Sequence, residues 1–464
     1  MEKELLLKKI DAFIEANKEA IVKDIAALVA VDSVQAAPAP GAPFGEGAKR
    51  ALEVTLEIAE RLGLATRNCE NYIGYAELPG ADCEKYLATI CHVDVVPVGN
   101  GWDADPFVLR EREGWLLGRG AADDKGPMVI TLYTLKCLKE LGVDLRYGIR
   151  ALAGTNEETG MLDVEYYLEN YPAPVFAFSP DAGFPVCNGE KGLFGATILS
   201  PVFENGNIVD IAGGVANNAI PDRAFAIVKA DIAAMTAGEG VTLSAEGDGL
   251  VRVAAVGKAG HAASPAGTIN AISRVVDCLV DNGVCTAAET AYLQALQKLH
   301  CSTAGEGLGI ACEDGPFGPL TIIGGRIFVQ DGRIHQTCDS RYPTTTTGAA
   351  MVEKMRAAIG DAAEVVLDRA NDPFYIEADS PAIRACIDTF NEITGSNAEP
   401  FTMGGGTYAR HFPAAVSFGP EYDAPIPAFG GGAHAANEAA PFDVLLQALK
   451  IYVVTLLRLE EVDF

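Results

Sequence analysis

Apolar residues in the first thirty positions recur at helical spacing and predict a helix over residues 4–30. Prolines between positions 38 and 43 interrupt this pattern, and a second helix is predicted over residues 47–62. Short apolar runs then predict strands, with a helix over 126–141 among them, at residues 72–78, 86–96, 147–155 and 175–179. Strands that alternate with helices are typical of an α/β domain with a mainly parallel sheet.

The pattern changes near residue 194 to shorter strands, which indicates a separate α+β unit, and Asp331-Gly332 predicts a tight hairpin turn within it. A helix that Ser380 and Pro381 would cap follows this unit. The strongly apolar last helix, predicted over residues 442–459, is expected to pack on the first domain. We therefore predict a discontinuous first domain with bounds of 1–193 plus 373–464 and an inserted domain with bounds of 194–372.

Composition narrows the class of protein. The chain has 464 residues, 49% of them hydrophobic, and a formal net charge of −28. This content is ample for sizeable cores, whereas the acidity argues against nucleic acid and anionic membrane surfaces as partners. No apolar run approaches the ~18 residues that a transmembrane helix needs. The expectation is a soluble, cytoplasmic protein that binds neither nucleic acid nor membrane.

The cysteines and histidines limit the possible chemistry. Eleven cysteines are an odd number, and no two of them stand in a Cys-x-x-Cys spacing, which argues against zinc-finger and thioredoxin motifs. Reduced, mostly buried thiols in a reducing compartment are expected instead. Because the chain has only six histidines, a metal site would have to combine a few of them with carboxylates.

His92 and Asp94 form the first candidate pair. They stand two positions apart, so on a strand both side chains would leave the same face. Asp94 could then accept the second ring N–H of His92, an arrangement typical of metal-ligating histidines. A purely structural pair remains the alternative for these two residues alone.

Asp123 lies in Gly118–Gly126, a glycine-rich segment that matches neither a dinucleotide-binding loop nor a phosphate-binding P-loop. A carboxylate beside such a turn can bridge two cations, or it can simply cap the following helix. Glu157 and Glu158 follow the end of the strand predicted over residues 147–155. Two adjacent buried carboxylates are costly without a cation or a shared proton, so the alternative is a solvated loop. Asp181 follows another strand.

His434 completes the set in a glycine-rich segment of the returning chain. Taken in order, the set resembles the co-catalytic zinc peptidase family, which includes aminoacylases, succinyl-diaminopimelate desuccinylase, carboxypeptidase G and bacterial dipeptidases of the peptidase V type. The resemblance spans nearly the whole chain. It is closest to the peptidase V branch, to which four further segments are similar: 43–47, 99–107, 156–160 and 404–410.

The resemblance implies a ligand set for two zinc ions, which cobalt or manganese can replace. His92 and Asp181 would hold one ion, Glu158 and His434 would hold the other, and Asp123 would bridge them. The resemblance also suggests a strained or cis peptide after Asp123. The implied fold is a phosphorylase/hydrolase-like α/β/α catalytic domain with a mainly parallel sheet, plus an inserted α+β lid domain.

Further roles follow from the same resemblance. Glu157 would be the general base that takes the proton of water and delivers it to the leaving amine. His261, in the segment Gly-Lys-Ala-Gly-His-Ala-Ala-Ser-Pro, would stabilise the oxyanion from the lid. Asn217, Arg341 and Gly405 would bind the substrate, with Arg341 suited to a carboxylate.

The predicted function is metal-dependent hydrolysis of dipeptides with a free amino end. Deacylation of N-acyl amino acids is the alternative that uses the same metals. A non-catalytic, metal-stabilised binding protein is the alternative from another class, while a serine hydrolase is disfavoured because the chain has no Gly-x-Ser-x-Gly motif. The lid is about twice the length of the single module through which smaller relatives dimerise, so the resemblance favours a monomer.

Overall fold

The computed structural model of the chain describes residues 3–421 and 425–464. The chain divides into two compact units. Unit 1 comprises Met1–Asn188, Ile376–Phe401 and Thr407–Phe464, and unit 2 comprises Gly189–Tyr375 and Thr402–Gly406. Among the described residues, no helix is both long and apolar enough to cross a membrane.

The α-helices of the described residues, in chain order, are α1 (Lys3–Val29), α2 (Glu46–Arg61), α3 (Lys125–Leu141), α4 (Leu162–Asn170), α5 (Ala271–Asp281), α6 (Ala287–His300), α7 (Gly348–Ile359), α8 (Pro381–Thr394) and α9 (Phe442–Leu459). The predicted helices near both ends of the chain are confirmed. The predicted cap of α8 is also confirmed, since the Ser380 side chain accepts the N–H of Ile383 and Pro381 stands in the first turn.

The strands that precede the main part of unit 2 are β1 (Ala65–Cys69), β2 (Ile73–Leu78), β3 (Asp82–His92), β4 (Arg110–Arg112), β5 (Trp115–Leu117), β6 (Tyr147–Gly154), β7 (Phe176–Ser179), β8 (Ala182–Gly183) and β9 (Cys187–Glu190). The next are β10 (Gly192–Leu199), β11 (Ile208–Gly213), β12 (Ala219–Ile220), β13 (Arg223–Lys229), β14 (Val241–Gly247), β15 (Leu250–Val256), β16 (Gly260–His261), β17 (Glu313–Asp314), β18 (Gly318–Pro319), β19 (Thr321–Gln330), β20 (Arg333–Tyr342), β21 (Glu364–Asn371) and β22 (Phe374–Tyr375). The last are β23 (Phe401–Met403), β24 (Ala415–Ser417), β25 (Pro420–Glu421) and β26 (Ala439–Pro441).

The main sheet of unit 1 has a parallel centre and antiparallel edges. Its strand order begins β1-β2-β6-β3-β7-β24-β9. The neighbours from β6 to β24 run parallel, whereas β1, β2 and β6 pair antiparallel at one end and β9 pairs antiparallel with β24 at the other. One cluster of buried residues from α1, α2, α3, α8 and α9 packs with the strands. The predicted α/β fold with a mainly parallel central sheet is confirmed, and the carboxyl ends of β3, β6 and β7 share one edge.

A buried carboxylate joins three helices of unit 1. Asp24 of α1 is only 3% exposed. It accepts a hydrogen bond from the Tyr133 hydroxyl of α3 at 2.8 Å and pairs with Arg61 of α2. Because a buried charge needs partners, this cluster fixes the packing of the three helices.

Unit 2 is built on an antiparallel sheet. Its strands follow the order β14-β15-β13-β11-β19-β20-β10-β21, and helices α5, α6 and α7 contribute to one buried cluster with them. Asp331 and Gly332 both have positive φ, 52° and 73°, and join β19 to β20 in a two-residue turn. The predicted hairpin is therefore confirmed, and the unit has the predicted α+β composition.

Candidate metal centre

The candidate ligands of unit 1 follow the strands of its parallel sheet. His92 is the last residue of β3, and Asp181 lies just beyond β7. Glu157 and Glu158 lie in one 3₁₀ turn, Glu157–Thr159, shortly after β6 ends at Gly154. The strand predicted over 147–155 ends one residue earlier than predicted, and the backbone has already turned at the two glutamates.

The structure brings five of the predicted residues together in two groups of three. His92 Nε2 lies 2.8 Å from Asp123 Oδ1 and 4.0 Å from Asp181 Oδ2. On the other side, His434 Nε2 lies 2.9 Å from Asp123 Oδ2 and 3.2 Å from Glu158 Oε2. Within each group the potential ligand atoms all lie within 4.8 Å of one another. Asp123 belongs to both groups and offers a different oxygen to each.

The donor set suits a divalent cation. Imidazole nitrogens and carboxylate oxygens are the ligands that zinc accepts alongside cysteine. Glu158 Oε1 is buried and has no hydrogen-bond partner among the residues that the structure describes. A buried carboxylate oxygen without a partner is costly, and a cation would satisfy it.

The electrostatics of the cluster indicate excess negative charge. Burial and the nearby charge of Asp181 raise the pKa of Glu157 well above its usual value, and burial together with Asp123 does the same to the pKa of Asp181. Hydrogen bonds to Asp123 and Glu158 raise the pKa of His434 to about 11. Burial would raise the pKa of Asp123, but its hydrogen bonds to His434 and His92 outweigh that effect and lower it. Cations would offset this repulsion between carboxylates.

Asp94 does not make the hydrogen bond predicted for it. The Nδ1 of His92 lies 3.0 Å from the backbone carbonyl oxygen of Asp94 and 3.6 Å from its carboxylate. The reason is that β3 ends at His92, so the predicted strand geometry does not extend to residue 94. The Asp94 carboxylate instead accepts the backbone N–H groups of Glu157 and Glu158, each at 3.1 Å. Asp94 therefore fixes the turn that carries both glutamates.

Two further acids, Asp163 and Asp124, also support the centre. The carboxylate of Asp163 accepts the N–H groups of Thr155 and Asn156 at 2.6 and 2.9 Å. Asp124 accepts the N–H of His92 at 3.2 Å, and the peptide between Asp123 and Asp124 is cis, as predicted. No sequence signal identifies Asp163, because acids are common in the first turn of any helix.

The other four predicted site residues lie in unit 2: Asn217, His261, Arg341 and Gly405. His261 of β16 pairs with Ala219 of β12, and Ala219 stands two positions after Asn217. Its Nδ1 accepts the N–H of Ala263 at 3.2 Å, so the neutral ring carries its hydrogen on Nε2. Burial and the positive charge of Arg341 lower the pKa of His261, which keeps this ring neutral near pH 7.

The glycine segment adjoins the same part of unit 2. A Cβ placed on Gly404 would lie 2.9 Å from the Cβ of Ala263 and 3.8 Å from the Cγ of Arg341. Gly405 follows in the same segment, which belongs to unit 2 although the sequence predicted the returning chain to be part of the catalytic domain. Arg341 is buried and lies 3.0 Å from Asp339.

The sequence is similar to one protein family and to named relatives over most of its length. A family model described as peptidase family M20/M25/M40 matches residues 88–458. The chain is 31% identical to the putative dipeptidase YtjP of Bacillus subtilis (strain 168), covering 96% of this chain and 98% of that protein. It is also 31% identical to the Beta-Ala-Xaa dipeptidase of Lactobacillus delbrueckii subsp. lactis, covering 96% and 97% respectively.

A similar fold occurs among solved structures. The M20 family metallo-carboxypeptidase Sso-CP2 from Sulfolobus solfataricus matches with a TM-score of 0.58 and 17% sequence identity. The match covers 95% of this chain and 99% of that chain. At this identity the likeness shows a common fold.

Proposed function

The chain belongs to peptidase family M20/M25/M40 and is an enzyme, and from this premise we propose that it hydrolyses dipeptides at a centre of two metal ions held by unit 1. The observation that carries the proposal is the position of Asp123, whose two carboxylate oxygens lie against two different groups of candidate ligands. The two relatives at 31% identity, which span nearly the whole chain, bear the names of dipeptidases. These names support the substrate class.

In this proposal His92 and Asp181 hold one ion, Glu158 and His434 hold the other, and Asp123 bridges the two. We propose zinc for both positions, with cobalt or manganese as replacements, because all five side chains offer nitrogen or oxygen ligands. The buried, unpartnered oxygen of Glu158 supports the proposal that this residue is a ligand.

The ions would polarise the scissile carbonyl and acidify water. Glu157 belongs to neither group of candidate ligands. Burial and the nearby negative charge of Asp181 raise its pKa. A raised pKa suits a carboxylate that takes a proton from water and then delivers it to the leaving amine. Asp94 assists as a positioning residue, since its carboxylate holds the N–H groups of Glu157 and Glu158.

In this proposal unit 1 is the catalytic domain and unit 2 is the lid. The lid carries the side chain that stabilises the oxyanion and the residues that bind the substrate. His261 donates a hydrogen bond from Nε2 to the oxyanion, because its Nδ1 is occupied by the N–H of Ala263. Arg341 and Asn217 bind the carboxylate of the dipeptide, and Gly405 allows the substrate backbone to approach closely. We further propose a monomer in the cytoplasm.

A substrate screen tests the proposed function. The protein, stripped of metal by a chelator and reloaded with zinc, cobalt or manganese, is assayed on dipeptides, tripeptides and N-acyl amino acids. We expect hydrolysis of dipeptides with a free amino end, restored by metal and abolished by chelation. Preferential release of the acyl group from N-acyl amino acids would contradict the proposed substrate class, and full activity after complete removal of metal would contradict the mechanism.

Replacing His261 by alanine is expected to lower kcat by about 10²- to 10³-fold, the effect of losing one oxyanion donor. Metal content should not change, because His261 is not a proposed ligand. The matched control is His335→Ala in the same unit, since the His335 ring stacks on Phe328 and has no proposed role in catalysis. Steady-state kinetics and metal analysis measure both variants. An unchanged kcat per folded molecule, with a lower melting temperature, would remove His261 from the mechanism.

A further inference from the structure

A fully buried ion pair connects two distant segments of unit 1. The Nη1 of Arg119 lies 2.6 Å from the Oε2 of Glu438, and the side chains are 1% and 0% exposed. The residues stand 319 positions apart in the sequence. Arg119 lies four positions before Asp123, and Glu438 lies four positions after His434, so each partner belongs to a segment that carries a proposed ligand.

The Glu438 carboxylate organises the segment of Asp123. Besides Arg119, its Oε2 accepts the N–H of Gly120 at 3.1 Å, and its Oε1 accepts the N–H groups of Ala122 and Asp123 at 2.9 and 3.1 Å. Both carboxylate oxygens are therefore used, and one of the donors is the backbone of the proposed bridging residue itself. Charge-assisted hydrogen bonds of this kind are about twice as strong as neutral ones.

The Arg119 guanidinium contacts the segment of His434. Its Nη2 lies 3.3 Å from the carbonyl oxygen of His434, and 3.4 Å from those of Pro97 and Val98. Its Cζ lies 5.2 Å from the centre of the Trp102 ring. The planar guanidinium thus joins three stretches of chain through directed contacts that the single ammonium group of a lysine could not reproduce.

We propose that Arg119 and Glu438 are positioning residues that hold Asp123 and His434 in register for binding a metal ion, an inference that rests on the proposed metal centre. The reason is geometric: Asp123 and His434 belong to the same group of candidate ligands, yet they lie on segments that the buried pair joins. The ion held by Glu158 and His434 depends on both segments, whereas the ion held by His92 and Asp181 depends on only one of them. Loss of the pair should therefore weaken the first of these ions more.

A buried pair could instead serve stability alone, because removing one partner of such a pair leaves an uncompensated charge. Asp24 provides a matched control for that role. It is a similarly buried carboxylate of unit 1, it bonds Tyr133 and pairs with Arg61, and it is not part of either ligand group. Asp24→Asn should therefore lower the melting temperature without changing the affinity for metal.

The test is a metal titration of the full-length apo-protein. Wild type, Glu438→Gln, Arg119→Lys and Asp24→Asn are titrated with Co²⁺, followed by visible absorption, and with Zn²⁺ in competition with a chromophoric chelator. Glu438→Gln should weaken binding of the ion held by Glu158 and His434 about 10- to 100-fold, the usual effect of losing a partner that orients a ligand. Arg119→Lys keeps the charge but loses the fork, so a smaller weakening of the same ion is expected. Melting temperatures of the apo-proteins measure stability separately.

The outcomes separate this inference from the proposed function. A wild type that binds fewer than two ions would contradict the metal centre and, with it, this inference. If wild type binds two ions and both variants of the pair retain their affinities within about twofold, with a lower melting temperature as in Asp24→Asn, the pair is structural and the inference is wrong. Should Glu438→Gln fail to fold, Arg119→Lys decides by the same criterion.

Discussion

Replacing Glu157 by glutamine is expected to lower kcat by about 10²- to 10⁴-fold while both metal ions remain bound. Glutamine has nearly the same shape as glutamate but cannot take a proton from water. Glu157 lies in neither group of candidate ligands, so the binding of metal should be unaffected. Metal analysis of the purified variant and its steady-state rate on a dipeptide together measure the two parts of this prediction.

Glu158→Gln is the matched control, because the two residues are adjacent and both N–H groups are held by Asp94. Glu158 lies 3.2 Å from His434 and belongs to a ligand group, so its replacement should weaken one ion. If Glu157→Gln loses an ion while its rate changes little, the roles of the two glutamates are exchanged. If neither variant changes kcat or metal content, both assignments are wrong.

Replacing Asp123 by alanine is expected to reduce the metal content below two ions per chain and the activity to background. The physical reason is that one carboxylate serves both groups, at 2.8 Å from His92 and 2.9 Å from His434. Its loss also removes a negative charge that would offset the charge of the two cations. Metal stoichiometry after dialysis and activity at saturating zinc are the measurements.

The control for this variant is Asp144→Ala, which removes an exposed acid of unit 1 that belongs to neither ligand group. Metal content and activity should stay at the level of wild type in the control. Two tightly held ions in Asp123→Ala would end the bridging assignment.

The family and the main elements of the fold could be predicted from the sequence, because they depend on local patterns and on the order of a few residues. The helical periodicity at both ends and the hairpin at Asp331-Gly332 are confirmed. The match of residues 88–458 to peptidase family M20/M25/M40 confirms the resemblance to metallopeptidases that the sequence indicated. These features need no knowledge of which distant segments meet.

Other features depend on where an element ends or on contacts between distant segments. The Asp94 carboxylate was expected to accept a ring N–H of His92, but β3 ends at His92, two residues before Asp94. The contact between Arg119 and Glu438 spans 319 positions, and no local pattern distinguishes a buried charge from an exposed one. The catalytic roles of Glu157 and of the residues in unit 2 remain predictions.

Anomalous X-ray diffraction at the zinc absorption edge, from crystals of the zinc-loaded protein, would show whether Asp123 lies between two metal ions. We expect two zinc peaks, one beside each carboxylate oxygen of Asp123. His92 and Asp181 should ligate one ion, and Glu158 and His434 the other. A single peak, or two peaks that share no ligand at Asp123, would contradict a centre of two ions bridged by this residue.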